Sequence, residues 1–362
     1  MRKLVRIVGS LAAVVLLAAA LTHILRPEQQ SQFEAQPRHD RVIETAAVGS
    51  LGFADSWIWF LSPGDVNRQF DLMVDTGVRS ARIMFPWAGI QPSPDAWDWG
   101  QADLIVNAAN ARGIAVVALL NSTPGWATGG GPAITAPPAT PELYGSFAGA
   151  FASHFAGRVA AYELWNEQNA VQFWAGPEGP QPERFAAMLK AAYPAIKAAD
   201  GGATVVAGGL APTINFFSLT LNPVTFVERM YAAGAAGSFD ALGYHPYLFN
   251  PNANVRFSTA GSNSSRGLYD QLRGVMNANG DGGKQIWATE FGESTSDVDE
   301  AVQAERIRDF IVSWRSLPGA GPAFIYTTRD RATGSPNAQD NFGVYRTDFT
   351  PKPAADAMRG LA

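Results

Sequence analysis

The sequence predicts a single α/β domain over residues 49–362, a (β/α)8 TIM barrel, and three observations support it. Short apolar or β-branched runs alternate with longer helix-forming stretches through that whole span, the pattern of a parallel sheet with helical crossovers. Eight runs of each kind can be counted, the number that closes a barrel. No GxGxxG turn follows an early strand, as an open dinucleotide-binding sheet would show, and no shorter internal repeat is present.

In chain order, a strand at 50–54 leads to a helix at 66–75, a strand at 80–85 to a helix at 101–112, and the apolar run 114–120 to a helix at 141–155. The second half continues with strand 159–165 and helix 182–199, strand 204–208 and helix 223–233, and strand 241–244 and helix 267–277. Strand 285–289 then precedes helix 301–316, and strand 323–327 precedes a last helix at 354–360. Two connections are long: 127–140, rich in Gly and Pro, and 250–265, rich in Asn and Ser. They follow the third and sixth strands and would overhang the barrel mouth; loops of that length usually carry function.

Composition narrows the class. Of 362 residues, 47% are hydrophobic and 16% charged, enough apolar material for a large core, which excludes a disordered or fibrous chain. The absence of cysteine excludes disulfides, thiolate nucleophiles, Cys-ligated zinc and iron–sulfur clusters. The formal charge is −5, and four of the positive residues (Arg2, Lys3, Arg6, Arg26) lie in an acid-free N-terminal segment, so the body is more acidic still. With no Lys/Arg cluster in that body, nucleic acid is not an expected partner.

Arg2, Lys3 and Arg6 precede an apolar run over 7–25, broken only by Gly9, Ser10, Thr22 and His23. Residues 1–26 therefore read as an export segment, either a cleaved signal peptide or an uncleaved signal anchor with its basic end in the cytoplasm. The missing cysteine excludes a lipoprotein anchor. Residues 27–48 form a polar linker, and membrane contact is expected only through 7–25 if uncleaved. The expected location is extracellular, or anchored to the outer face of the cytoplasmic membrane.

In such a barrel the reacting groups come from the carboxyl ends of strands. The fourth strand ends Tyr162-Glu163-Leu164-Trp165-Asn166-Glu167, and the seventh ends Trp287-Ala288-Thr289-Glu290-Phe291-Gly292. These strands lie on opposite sides of an eight-strand barrel, so Glu167 and Glu290 can face each other across the mouth. A facing carboxyl pair suits glycoside hydrolysis, which needs one group protonated and one ionised. Glu163, two steps before Trp165 on the strand, points into the barrel and requires a partner more than a substrate; Arg82 could be that partner. His23, His39 and His154 fall in the anchor, the linker and a helix, so no two-histidine metal set is in view, and neither metal nor cofactor is expected. Of the ten tryptophans, Trp165, Trp287 and Trp314 read as core, whereas loop-borne Trp126 and Trp174 are the best candidates for stacking on a sugar ring.

Several strand-end motifs, in order, carry a family resemblance over about residues 49–353. They are Ala81-Arg82-Ile83 with Trp87 and Gln91-Pro92, Thr123-Pro124-Gly125-Trp126, Glu163-Leu164-Trp165-Asn166-Glu167, Tyr244-His245-Pro246-Tyr247, Trp287-Ala288-Thr289-Glu290-Phe291-Gly292, Asn341-Phe342-Gly343 and Pro351-Lys352-Pro353. The chain resembles the clan A glycoside hydrolases, the retaining (β/α)8 group, and most of all their family 39 and cellulase-like family 5 members. The resemblance implies Glu167 as acid/base, Glu290 as nucleophile, Asn166 in a hydrogen bond with the sugar 2-hydroxyl, and Arg82 beside Glu290 to keep it ionised. It places His245 and Tyr247 in the pocket wall. Where many relatives have a Trp in strand eight under the sugar, this chain has Phe324-Ile325-Tyr326, so either Tyr326 supplies the aromatic floor or the subsite is shaped for a different sugar. The expected activity is retaining hydrolysis of an extracellular or cell-envelope glycan, the partner being an oligo- or polysaccharide; a silent carbohydrate-binding barrel and a transglycosylase are the alternatives. Sugar, linkage, endo or exo attack and oligomeric state are open.

Overall fold

The computed structural model describes residues 50–248, 255–259, 261 and 264–362; the export segment, the linker and part of the 250–265 loop lie outside them. Eight strands close into one parallel barrel in sequence order: β1 (Leu51–Ala54), β2 (Ser80–Pro86), β3 (Ala115–Asn121), β4 (Ala161–Asn166), β5 (Thr204–Leu210), β6 (Ala241–Tyr244), β7 (Gln285–Phe291) and β8 (Ala320–Tyr326). Closure is made by β8 against β1, with Gly52 opposite Phe324 and Ala54 opposite Tyr326.

The helices are α1 (Pro63–Asp75), α2 (Trp87–Ile90), α3 (Gly100–Asn110), α4 (Pro141–His154), α5 (Pro182–Ala199), α6 (Pro223–Ala232), α7 (Ser265–Ala278), α8 (Glu300–Arg315) and α9 (Pro353–Arg359). All eight expected pairs of strand and helix are present; the single turn α2 and three short 3-10 segments, Ser56–Phe60, Gly125–Ala127 and Ala338–Asp340, were not expected. Their signals are weak because such short segments show no period. Proline opens α1, α4, α5, α6 and α9, where its fixed φ suits the first turn and its missing N–H is no loss. Side chains of Ser62, Thr140, Asn222, Ser264 and Asp299 cap the first turns of α1, α4, α6, α7 and α8.

Strand alternation splits the core in two. Outward residues such as Val116, Ala118, Leu120, Tyr162 and Leu164 pack under the helices, while Ala54, Val117, Ala161, Val206, Ala241, Trp287 and Phe324 fill the barrel. Two large rings fit inside because their neighbours have no side chain. A Cβ on Gly321 would stand 2.3 Å from Trp287, and one on Gly52 would stand 2.7 Å from Phe324. With its lower barrel packed by aromatic rings, the fold keeps its polar layer for the open end.

The loops after β7 and β8 are tied down by a buried ion pair. Lys352 Nζ donates to Asp330 at 2.8 Å and Thr295 at 3.0 Å, with both charged side chains fully buried. Asp330 also accepts from the Gly343 N–H at 2.8 Å, so one carboxylate ties the loop after β8 to the segment before α9. Burial lowers the Lys352 pKa, although Asp330 beside it favours the charged form.

Candidate active site

The local backbone at the end of β4 builds the site. Trp165 has φ +74° and Glu167 φ +46°, left-handed conformations that an L side chain adopts at a cost. The first reverses the strand's alternation. Glu163 points into the barrel as expected, but Trp165, two residues on, turns outward beneath α4, 6.0 Å from Tyr144 and 5.5 Å from Trp174, and its indole N–H donates to Phe173 O. Asn166 is thereby delivered inward, and Glu167 stands at the mouth with its N–H on Gly209 O at 2.8 Å.

The twist is accommodated by two glycines of β5 that sequence reading did not single out. A Cβ on Gly208 would lie 2.4 Å from the carbonyl oxygens of Leu164 and Trp165, and one on Gly209 would lie 2.1 Å from His245 Nε2. The paired glycines in Val206-Ala207-Gly208-Gly209 are the signal that could have marked this close approach.

Arg82 is the hub. It is buried, third of the seven residues of β2, and its guanidinium donates to three groups: Glu163, Glu290 Oε1 at 2.5 Å and Asn166 Oδ1 at 2.8 Å. Both alternatives for Arg82, partner of Glu163 and neighbour of Glu290, therefore hold at once. Burial opposes its charge, but the Glu163 and Glu290 carboxylates more than offset that and raise its pKa further. Glu163 is fully buried and takes its second hydrogen bond from the Gly209 N–H at 3.0 Å, which identifies it as a support for Arg82.

Glu290 receives Tyr247 OH on Oε2 at 2.9 Å, and His245 Nδ1 lies 2.9 Å from Glu167 Oε1 and 3.8 Å from Glu290 Oε2. Burial pushes the Glu290 pKa up; His245, Arg82 and the Tyr247 hydrogen bond outweigh it, so the carboxyl is held below the usual range. One oxygen of Glu167, one of Glu290 and a nitrogen of His245 lie within 4.8 Å of one another. This donor set could approach a cation. Glu167 and His245 are bonded to each other and Glu290 to Arg82 and Tyr247, however, and the Arg82 guanidinium beside Glu290 opposes a second positive charge.

The expected aromatic contacts divide. Tyr326 is half-buried at the end of β8, edge-on to Phe342 with centroids 5.3 Å apart, and its hydroxyl accepts from Arg331 at 3.0 Å. Trp126 keeps part of its ring exposed on the loop after β3, anchored by its N–H to Gln91 O at 3.1 Å. Trp174 is corrected: it is fully buried, 5.5 Å from Trp165 and 6.1 Å from Phe185, because the loop after β4 folds its indole inward as packing. No face is left for a sugar.

A closed parallel barrel with two carboxyls facing across its mouth over a buried arginine defines a class, the clan A retaining O-glycoside hydrolases. The profile of glycosyl hydrolase family 5, described as cellulase, matches residues 44–314. The chain belongs to that family. No curated protein sequence matches it. Among solved structures it is similar to a family 39 glycoside hydrolase from the gut symbiont Bacteroides cellulosilyticus WH2 (TM-score 0.68, 21% identity), covering 87% of this chain and 63% of that one. The chain thus spans less than two thirds of that enzyme's length. It is equally similar to GH5_18 from Streptomyces cattleya in complex with GlcNAc (TM-score 0.68, 16% identity, 88% and 80% covered). Xylanase 10B from Thermotoga maritima follows at TM-score 0.59 and 18% identity, with 88% and 95% covered. At these identities the likeness is one of fold.

Proposed function

We propose that this protein hydrolyses O-glycosidic bonds of an extracellular or cell-envelope glycan by double displacement, with Glu290 as nucleophile and Glu167 as acid/base. The observation that carries the reading is the approach of their carboxylate oxygens to within 4.8 Å. Retaining enzymes hold their carboxyls about 5–5.5 Å apart, whereas inverting ones leave about 6.5–9.5 Å for a water. Glu290, kept ionised by Arg82 and Tyr247, attacks the anomeric carbon. Glu167 gives its proton to the departing oxygen and then takes one from the water that resolves the glycosyl-enzyme. Asn166 gives its carbonyl to Arg82, which leaves its amide N–H groups for a substrate hydroxyl. The acidic chain favours a neutral glycan, as does the likeness to a fold whose Streptomyces cattleya member is in complex with GlcNAc and, in a second structure, with Manb1-4GlcNAc. The export-type segment at 1–26 supports action outside the cytoplasm.

The test is the configuration of the first-formed sugar, followed by NMR during hydrolysis of a neutral β-linked polysaccharide. Retention is expected; an inverted product would overturn the assignment of Glu290.

A pH dependence follows from the same contacts. Because Glu290 titrates below the ordinary glutamate value of about 4.3, the acidic limb of kcat/KM should fall below that value too. The sign for stability agrees: a depressed folded pKa adds stability above about pH 4.3, which is lost as the pH falls through the folded value. Tyr247→Phe removes one hydrogen bond to the carboxylate and should move the acidic limb upward by roughly one pH unit. An unmoved limb would show that Tyr247 does not tune the nucleophile.

A further inference from the structure

A second feature lies away from the catalytic pair, on the loops after β4 and β5. The two loops are built as one rigid unit. Asn169, two residues after Glu167, donates to Ala211 O at 2.8 Å, Thr213 Oγ1 at 3.0 Å and Leu221 O at 2.9 Å, and accepts from the Ala211 N–H. Val171 N–H donates to Leu219 O, and Gly179, at φ +70°, leaves only 1.9 Å between a notional Cβ and Ser218 O. The unit holds up Phe217, which is 89% exposed, beside Ile214 at 63% and Leu219 at 42%. Phe217 also has φ +46°. An aromatic residue there is costly twice over, in exposed apolar surface and in backbone strain, and the fold recovers nothing from its burial.

Phe217 borders a cavity of about 390 Å3, within the roughly 300–1,000 Å3 usual for small-molecule sites. Pro180 and Phe217 give it apolar walls. Gln181 gives it a polar wall, with the acids Glu178 and Glu183 matched by Arg184 and Arg229. Arg229 and Glu183 form a two-pronged ion pair at 2.8 and 2.9 Å, and Arg184 donates to Gln181 at 3.4 Å, so planar polar groups are held fixed beside an aromatic ring. Fixed planar donors and acceptors suit vicinal hydroxyls, an aromatic face suits the C–H face of a pyranose, and the balanced charges suit a neutral ligand.

Position completes the argument. The leaving group departs from beside Glu167, and the segment that continues from Glu167 carries Gln181, while the loop bridged to it carries Phe217, both on the wall of the cavity. We propose that the cavity bounded by Phe217, Gln181 and Arg184 is a distal carbohydrate site that binds a neutral sugar unit on the leaving-group side of a polymeric substrate. The proposal rests on the reading of Glu167 as the acid. It implies attack within chains rather than at their ends.

Phe217→Asn is the informative variant, because Asn tolerates positive φ and removes the exposed ring without touching the core. The full-length chain carrying Glu290→Gln, with and without Phe217→Asn, would be titrated calorimetrically with cello-, manno- and xylo-oligosaccharides of two to six units. The expected result is a 5- to 10-fold weaker Kd for the hexasaccharide that binds, from the lost ring stacking, with the penalty shrinking as the chain shortens and with thermal stability equal or higher. Equal hexasaccharide affinity in the two proteins, or no binding of any of these sugars, would overturn the site. Phe217-dependent capture on phosphatidylglycerol vesicles with unchanged sugar affinity would also overturn it, in favour of a membrane contact. Failure of the hydrolase reading shows separately, as an inert wild-type chain on aryl glycosides and polysaccharides.

Discussion

Replacing Glu290 with Gln is expected to lower kcat/KM by about 10^4-fold or more on any glycan the wild type cleaves, because the amide cannot form the glycosyl-enzyme. The fold should survive. Gln preserves the volume, and its one oxygen can still accept from Arg82, which donates to Glu290 Oε1 at 2.5 Å, while its NH2 group donates to the Tyr247 hydroxyl oxygen, 2.9 Å from Glu290 Oε2. Glu167→Ala should behave differently, with a loss of roughly 10^2- to 10^4-fold that depends on the leaving group. A dinitrophenyl glycoside needs no proton donor, so its first step should proceed almost normally and the glycosyl-enzyme should accumulate. Added azide, which attacks without a general base, should then restore turnover. The comparison assigns the two carboxyls without reference to relatives, since only the acid/base variant can be rescued in this way. If Glu290→Gln retained wild-type rates, or if azide rescued it in place of Glu167→Ala, the roles would be wrong.

Arg82→Leu should produce the largest loss of stability of any single substitution at the mouth. The guanidinium is 1% exposed and neutralises Glu163, itself fully buried, together with Glu290. Removing one partner of a buried ion pair costs about 3–5 kcal/mol, because the remaining charge stays out of water without compensation. For a domain of this size that corresponds to a thermal midpoint lower by roughly 6–10 °C. Arg82→Lys should recover only part of it, since an ammonium is a point charge and cannot span Glu163, Asn166 and Glu290 with a planar fork. Activity should fall in both variants, because the orientation of Asn166 and the ionisation of Glu290 depend on the same group. A midpoint unchanged in Arg82→Leu would mean that the carboxylates protonate or find water instead, and the account of the polar layer would fail.

The two predictions differ in how far each was legible in the sequence. Glu167 and Glu290 could be paired before any coordinates, because strand order in a parallel barrel fixes which strands face each other and the strand-end rule fixes which residues emerge there. The roles of Glu163 and Arg82 were readable only in part: a carboxylate on an inward face requires a partner. That one arginine serves Glu163, Asn166 and Glu290 together was not readable, since it depends on three strands meeting at one height.

The tryptophans show the same limit. Trp126 and Trp174 look alike in sequence, each on a loop after a strand and near small residues. Trp126 keeps part of its ring exposed, whereas Trp174 is packed away against Trp165 and Phe185. The difference was made by Trp165, whose positive φ turned it outward and created the surface that Trp174 covers. No period in the sequence announces a single left-handed residue at a strand end. Phe217 is the converse case, an aromatic that composition would assign to the core and that the paired loops hold in the open.

The sequence by itself determined the barrel, its strand order and the two facing glutamates, because periodicity, chain connectivity and the direction of parallel strands are local or topological properties. The tertiary structure decided the rest: which charges share Arg82, how Tyr247 and His245 reach the carboxyls, and which aromatic rings remain exposed. Those depend on distances between segments as far apart in the chain as Arg82 and Glu290, and on glycines such as Gly209 whose function is visible only in the atoms they make room for.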